Sequence, residues 1–177
     1  MLSDDDSPTN DHTDADPKRL TWRTALPALS RLVTSIPGVV RAERRDNVDA
    51  VLREKIMLTV SVVNGCRYCV RVHTGQAART GVPHETILDL REQRLERAAR
   101  EGERPALRFA RRYAEASENP APDAWAALRE AYDTATVADI VSYIRGIYFF
   151  NLVGNTLDFL RARWTDDGGS QARSVAG

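Results

Sequence analysis

The chain has 177 residues, a formal net charge of zero, 42% apolar content and 7% aromatics, which suits one compact domain with a tail. The charge is uneven: residues 1–17 hold six aspartates and no Lys or Arg, leaving the body with a formal +6. All but two of the 25 basic residues are arginines, spread without an aromatic-interleaved stripe, which argues against a nucleic-acid partner. The most apolar stretch, 140–157, is interrupted by Arg145, which argues against a membrane span.

Residues 1–18, MLSDDDSPTNDHTDADPK, carry almost no apolar side chain and are expected to form a disordered acidic tail. They read as neither a secretory signal nor a transit peptide. Residues 19–165 read as one all-α domain, with a second disordered tail over 166–177. Leu26, Leu29, Leu32 and Val33 set a short helix over 25–34 that Ile36-Pro37-Gly38 should stop. A second short segment is expected over 39–45, ahead of a helix cap at Asp46 or Asn47. Val48, Val51, Leu52, Ile56, Val60 and Val63 recur at helical spacing and predict an amphipathic helix over 47–63. Asn64-Gly65 marks a chain turn, and a further helix is expected over 66–80, with Gly81 as its C′ residue and Pro83 as N1 of the next.

That next helix is expected to run over 84–100, its REQRLERAARE portion forming a solvated face. Arg104–Ser117 should turn Leu107, Ala110 and Tyr113 inward, and Asp123–Asp133 should do the same with Trp125, Leu128 and Tyr132, separated by Asn119-Pro120-Ala121-Pro122. Thr136 with Asp139 has the pattern of a capping box opening the longest helix, 137–162. This helix is apolar over most of its surface, so it should be buried on several sides, its extra faces meeting another subunit. Asn151 and Asn155 within it read as structural and in need of hydrogen-bond partners. No alternating strand pattern or internal repeat is present.

The only two cysteines, Cys66 and Cys69, sit three apart, with His73 one helical turn beyond the second. On a helix these three positions fall within a sector of roughly 60°. Cys66 and Cys69 would have Cα atoms about 5 Å apart, within disulfide reach. Cys69 and His73 are i,i+4 neighbours. A turn at Gly65 makes residues 66–69 the first turn of a helix, where unpaired N–H groups favour a thiolate. Counting back from that turn, Glu54 comes within about 3 Å of the height of His73 in an antiparallel hairpin, where a carboxylate can orient an imidazole. The candidate chemical residues are therefore Glu54, Cys66, Cys69 and His73. Tyr68 and Tyr148 are candidates for relay or pocket lining, although aromatics at helical spacing are more often core. Reversible dithiol chemistry competes with zinc ligation and with inert buried thiols. A c-type haem site is excluded, because no His follows Cys69 directly, and the βαβ alternation of thioredoxin is missing.

Glu54, eleven residues, Cys66-Arg67-Tyr68-Cys69, three residues and His73 resemble the active-site signature of AhpD-like alkylhydroperoxidases of the carboxymuconolactone decarboxylase superfamily. Ala77, Gly81-Val82-Pro83 and the later Asn151-Leu-Val-Gly-Asn155 resemble the family's continuation, so the likeness spans about residues 20–163. It implies an AhpD-like helical fold and a thiol peroxidase that reduces hydroperoxides. Cys69 would be the peroxidatic thiol, deprotonated through His73 and Glu54, and Cys66 the resolving and more exposed one. A dithiol, in the family a dihydrolipoyl group or lipoyl-bearing protein, would reduce the disulfide, with no bound cofactor and no metal. Family members form trimers or hexamers, which implies a homo-oligomer. Tyr68 stands where the best-known peroxidases carry a second His. A reducing cytoplasm suits such a pair. The alternatives are a lactone-decarboxylase-type enzyme, which has no need of a dithiol, and a redox-responsive, non-catalytic oligomer.

Overall fold

The structure is a computed structural model describing residues 17–174, and every regular element among them is helical. Most of the expected acidic tail, and residues 175–177, lie outside the described residues. The elements are α1 (Trp22–Arg45), α2 (Ala50–Val63), α3 (Arg67–Arg79), α4 (His84–Arg91), α5 (Leu95–Ala98), a 3₁₀ turn (Glu101–Glu103), α6 (Arg104–Glu115), α7 (Pro122–Ala131) and α8 (Thr134–Ser174).

The centre of the fold is α2, which packs against α3, α4, α6 and α8, while α1 lies along α8. Ile56, Leu58 and Val60 of α2, Leu107 of α6, Leu128 of α7 and Ile140 and Ile144 of α8 are wholly buried. Each such side chain contributes roughly 1.5–3 kcal/mol by leaving water. Burial extends round α2 rather than along one stripe: Glu54, Lys55, Thr59 and Ser61 are buried as well. The helix is therefore not the amphipathic one its spacing predicts. The Lys55 charge is matched inside by Glu103, Nζ to Oε2 at 2.6 Å, and that carboxylate also accepts from the Arg100 amide at 3.0 Å. An unpaired charge there would be strongly destabilising.

Several expected boundaries are corrected. Ile36-Pro37-Gly38 does not stop a helix; α1 runs through it as one element. Pro37 forgoes one i→i−4 bond, but a β-carbon on Gly38 would collide with Ser142 Oγ on α8, so the glycine permits close helix contact. The cap of α2 is Asp49, whose carboxylate accepts from the Leu52 amide at 2.7 Å. Asp46 instead takes a positive φ of 54°, and Asn47 donates to Asp139 Oδ2 at 2.8 Å. With Asp139 engaged there, the Thr136–Asp139 capping box does not form. Asp133 caps α8 instead, accepting from the Ala135 and Thr136 amides and the Thr136 hydroxyl.

Pro83 is the N-cap of α4 rather than its first residue. The expected helix 84–100 breaks after Arg91, where Gln93 adopts a φ of 58° and the Arg94 amide donates back to Asp89 O at 2.7 Å. That break turns Leu95, Ala98 and Ala99 into the core, so the charged segment is only partly a solvated face. At the start of the described residues Lys18, expected in the tail, is docked: its carbonyl accepts from Asn155 and its amine donates to Ala114 O. Helix α8 continues past 162 to Ser174, through residues expected to be a tail. By length and composition α8 could cross a membrane, but more than half of its apolar window is buried within the molecule.

Candidate active site

The position of the cysteines follows from how α2 ends. Gly65 has a φ of 66°, its amide donates to Val62 O at 3.1 Å, and the Cys66 amide donates to Ser61 O at 3.1 Å. This is a Schellman closure, which requires a residue free to adopt the left-handed conformation. Cys66 is then both the last residue of that closure and the N-cap of α3, where its Sγ accepts from the Cys69 amide at 3.3 Å. Three residues later, Cys69 lies in the first turn of α3. The Cα atoms are 5.3 Å apart and the two sulfurs are joined as a disulfide.

Both cysteines are buried, Cys66 at 1% exposure and Cys69 at 6%. This reverses the expectation that Cys66 is the more exposed thiol: its N-cap position faces the α2–α3 turn and α8, whereas Cys69 reaches an apolar cleft of about 430 Å³. His73, Tyr68 and Val72 of α3 and Ile147, Phe150 and Leu157 of α8 also line that cleft. Cys69 Sγ stands 4.0 Å from the Phe150 carbonyl oxygen. A carbonyl dipole pointed at the sulfur opposes a thiolate, so ionisation of Cys69 calls for a base beside it.

His73, four residues further along α3, lines the same cleft. Its Nδ1 lies 2.8 Å from Glu54 Oε2, joining the two arms of the hairpin behind the cleft. A carboxylate there fixes the ring and leaves Nε2 as the nitrogen that takes or gives a proton. The carboxylate is itself held, because Arg53 Nε lies 3.6 Å from Glu54 Oε1. Arg53 in turn donates to both oxygens of Glu43 on α1, at 2.8 and 2.9 Å, and Tyr143 of α8 donates to Glu43 at 3.1 Å. Burial works against the Arg53 charge, yet Glu43, the Tyr143 phenol and Glu54 outweigh it and hold the guanidinium above its ordinary pKa. Burial, and then the Glu43 carboxylate, push the Tyr143 phenol up. Sequence reasoning misses Arg53, Glu43 and Tyr143; the adjacency of Arg53 to Glu54 is the only signal.

The segment Asn151–Asn155 of α8 closes the site from above. Ser61 Oγ is 3.2 Å from Asn151 Oδ1, and Asn155 Nδ2 donates to Asn64 O at 2.8 Å and Lys18 O at 2.9 Å. Asn155 thus has the structural role read for it and holds the turn that sets Cys66, whereas Asn151, also buried, has Ser61 on its oxygen and no hydrogen-bond partner for Nδ2 among the described residues. Gly154 has no role legible from its neighbours, yet a β-carbon there would lie 2.9 Å from Cys66 Sγ and 3.6 Å from Cys69 Sγ. Its detectable signal is a glycine inside a long apolar helix, where it costs about 1 kcal/mol against alanine.

Tyr68 lines the cleft and is largely exposed. Tyr148 does not: it is buried edge-on against Tyr113 at 5.9 Å, so its place is the core. Trp125 likewise packs edge-on against Phe109, at 4.7 Å. Among the described residues, no group of three or more His, Cys, Asp or Glu is arranged to hold a metal ion.

Residues 27–112 match the model of the carboxymuconolactone decarboxylase family, a span that contains Glu54, Cys66, Cys69 and His73. A crystal structure from Agrobacterium tumefaciens, described as a protein of unknown function and putative antioxidant defence protein AhpD, has a similar fold. It matches with a TM-score of 0.58 at 20% identity, over 77% of this chain and 92% of that one. No curated protein matches the chain. Segment 27–112, which carries the Glu54–His73 hairpin and both cysteines, thus matches the carboxymuconolactone decarboxylase family, and the all-α fold around it is similar to that of the Agrobacterium structure.

Proposed function

We propose that the protein is a thiol-dependent peroxidase that reduces hydroperoxides through a Cys66–Cys69 dithiol/disulfide cycle. The observation that carries this reading is one cleft holding both Cys69 and His73, with Glu54 2.8 Å behind the imidazole and Cys66 in disulfide contact with Cys69.

In the reduced protein His73 takes the proton of the Cys69 thiol. The thiolate attacks the terminal oxygen of a hydroperoxide, the O–O bond breaks, and Cys69 becomes a sulfenic acid. The departing alkoxide takes the proton back from the imidazolium and leaves as an alcohol. The Cys66 thiol then displaces hydroxide from the sulfenic sulfur, forming the disulfide and releasing water. An external dithiol, with a dihydrolipoyl group as the proposed class, restores both thiols by exchange and leaves as its own disulfide. Glu54 orients His73, Arg53 orients Glu54, and Tyr68 borders the entry. A tightly bound cofactor has no part in the scheme.

The exposed apolar side chains Phe150, Leu157, Leu160 and Trp164 on one side of α8 favour a homo-oligomer, and the reducing requirement suits a cytoplasmic setting. The reading is tested by following peroxide consumption with dihydrolipoamide as reductant. Many peroxides consumed per protein support it; a single oxidation that no dithiol reverses favours a redox-responsive protein without turnover.

A further inference from the structure

The reductive half of this cycle, which rests on the function proposed above, requires a choice that two adjacent cysteines leave open: which sulfur the reductant attacks. Both residues are buried, Cys69 at 6% exposure, but their surroundings differ. Cys66 Sγ is walled in, at 1% exposure for the residue, with Gly154 of α8 so near that a β-carbon there would stand 2.9 Å away. Cys66 is absent from the cleft lining, whereas Cys69 is part of it.

The electrostatics point the same way. Cys66 Sγ is the N-cap of α3 and already accepts from the Cys69 amide at 3.3 Å, so a thiolate formed there meets that N–H donor and the positive end of a helix. Cys69 Sγ faces the Phe150 carbonyl oxygen at 4.0 Å, which opposes negative charge. Exchange is faster when the departing sulfur is the better-stabilised thiolate and the attacked sulfur is the accessible one.

We infer that the reductant enters the apolar cleft and attacks Cys69, and that Cys66 departs as a thiolate held at the α3 N-terminus. The first thiolate of the dithiol bonds to Cys69 Sγ as the Cys66–Cys69 bond breaks, its electron pair going to Cys66. The second thiol of the reductant, deprotonated by His73, attacks its own mixed-disulfide sulfur. The reductant closes to a cyclic disulfide and Cys69 departs with the electron pair, taking up the proton from the imidazolium; Cys66 takes its own from water. Cys69 is thus the sulfur that meets both peroxide and reductant, and Cys66 never leaves the interior.

The test uses the full-length oxidised protein and the monothiol 2-mercaptoethanol, which cannot close on itself as a dithiol does, so that the mixed disulfide is trapped by an early quench. The reaction is quenched with acid, free thiols are alkylated, and the protein is digested with trypsin. Cleavage after Lys55, Arg67 and Arg71 places Cys66 in the peptide 56–67 and Cys69 in 68–71, so each carries its own label. The expected result is the mercaptoethanol adduct on Cys69 at least about tenfold over Cys66, which corresponds to about 1.4 kcal/mol between the two attack barriers. An adduct on Cys66, or an even split, overturns the assignment while leaving the peroxidase reading intact in a protein that turns over peroxide. A disulfide that yields no adduct and resists dithiol as well overturns both.

Discussion

Gly154 lies against the disulfide without a side chain, and the space a β-carbon would need is already taken by Cys66 Sγ, 2.9 Å away. The relationship joins residues 88 positions apart and explains why a residue that weakens a helix stands in the middle of the longest one. Two effects compete in Gly154→Ala. Alanine gains about 1 kcal/mol in helix propensity, while overpacking costs about 1–3 kcal/mol. In the reduced protein Cys66 can turn away and the propensity gain prevails; in the oxidised protein it cannot. The melting temperature of the oxidised form minus that of the reduced form should therefore fall. An unchanged difference would show that the contact is slack.

The Glu54–His73 pair leads to a second expectation. His73→Ala should slow the peroxide step by about 10²-fold or more, the usual size of a general-base contribution. Glu54→Gln preserves shape but removes the charge behind the ring, and should give a smaller loss in the same step. Pre-steady-state oxidation of the thiols measures both, and an E54Q loss as large as that of H73A would mean that the carboxylate does more than orient.

Asn155 should matter through position rather than contact with substrate. Asn155→Ala leaves the buried Asn64 carbonyl without its 2.8 Å donor, along with the bond to Lys18 O. A loss of about 1–3 kcal/mol is expected in denaturant unfolding, with slower disulfide closure as Cys66 loses its fixed seat.

Much of this site is legible in the order of the residues. The Gly65 turn and the helical count place Glu54 level with His73, because both distances run along single helices with known rise. What lies between helices is not legible. Pro37 reads as a helix stop, yet α1 continues through it and packs on α8, with Gly38 close against Ser142. The break at Gln93 depends on burying Leu95 and Ala98 together, a tertiary gain that no local pattern announces. The resemblance implies that Cys66 is the more exposed thiol, yet the Schellman closure turns it inward. Gly154 lies outside the matched family segment, and its partner sulfurs are invisible from its neighbours in sequence.

Tyr143 sets an alkaline limit on stability. Burial first, then the Glu43 carboxylate, raise its folded pKa above the ordinary 10.0. The unfolded phenol therefore loses its proton first. The stabilisation is fully present below pH 10 and is lost as pH rises through the folded value. Burial of Tyr132 acts in the same direction. Melting temperatures should fall as pH rises above about 10, and Tyr143→Phe should reduce that fall in part; a phenol titrating at its ordinary value in the folded protein would contradict this.

The most direct test of the central claim is mass spectrometry of the reduced protein after one equivalent of an organic hydroperoxide. The expected result is loss of two hydrogens as the Cys66–Cys69 disulfide forms, full recovery with dihydrolipoamide, a sulfenic acid trapped on Cys69 in Cys66→Ser, and no oxidation in Cys69→Ser. Equal peroxide consumption by Cys69→Ser, or two thiols that survive the peroxide unchanged, would contradict it.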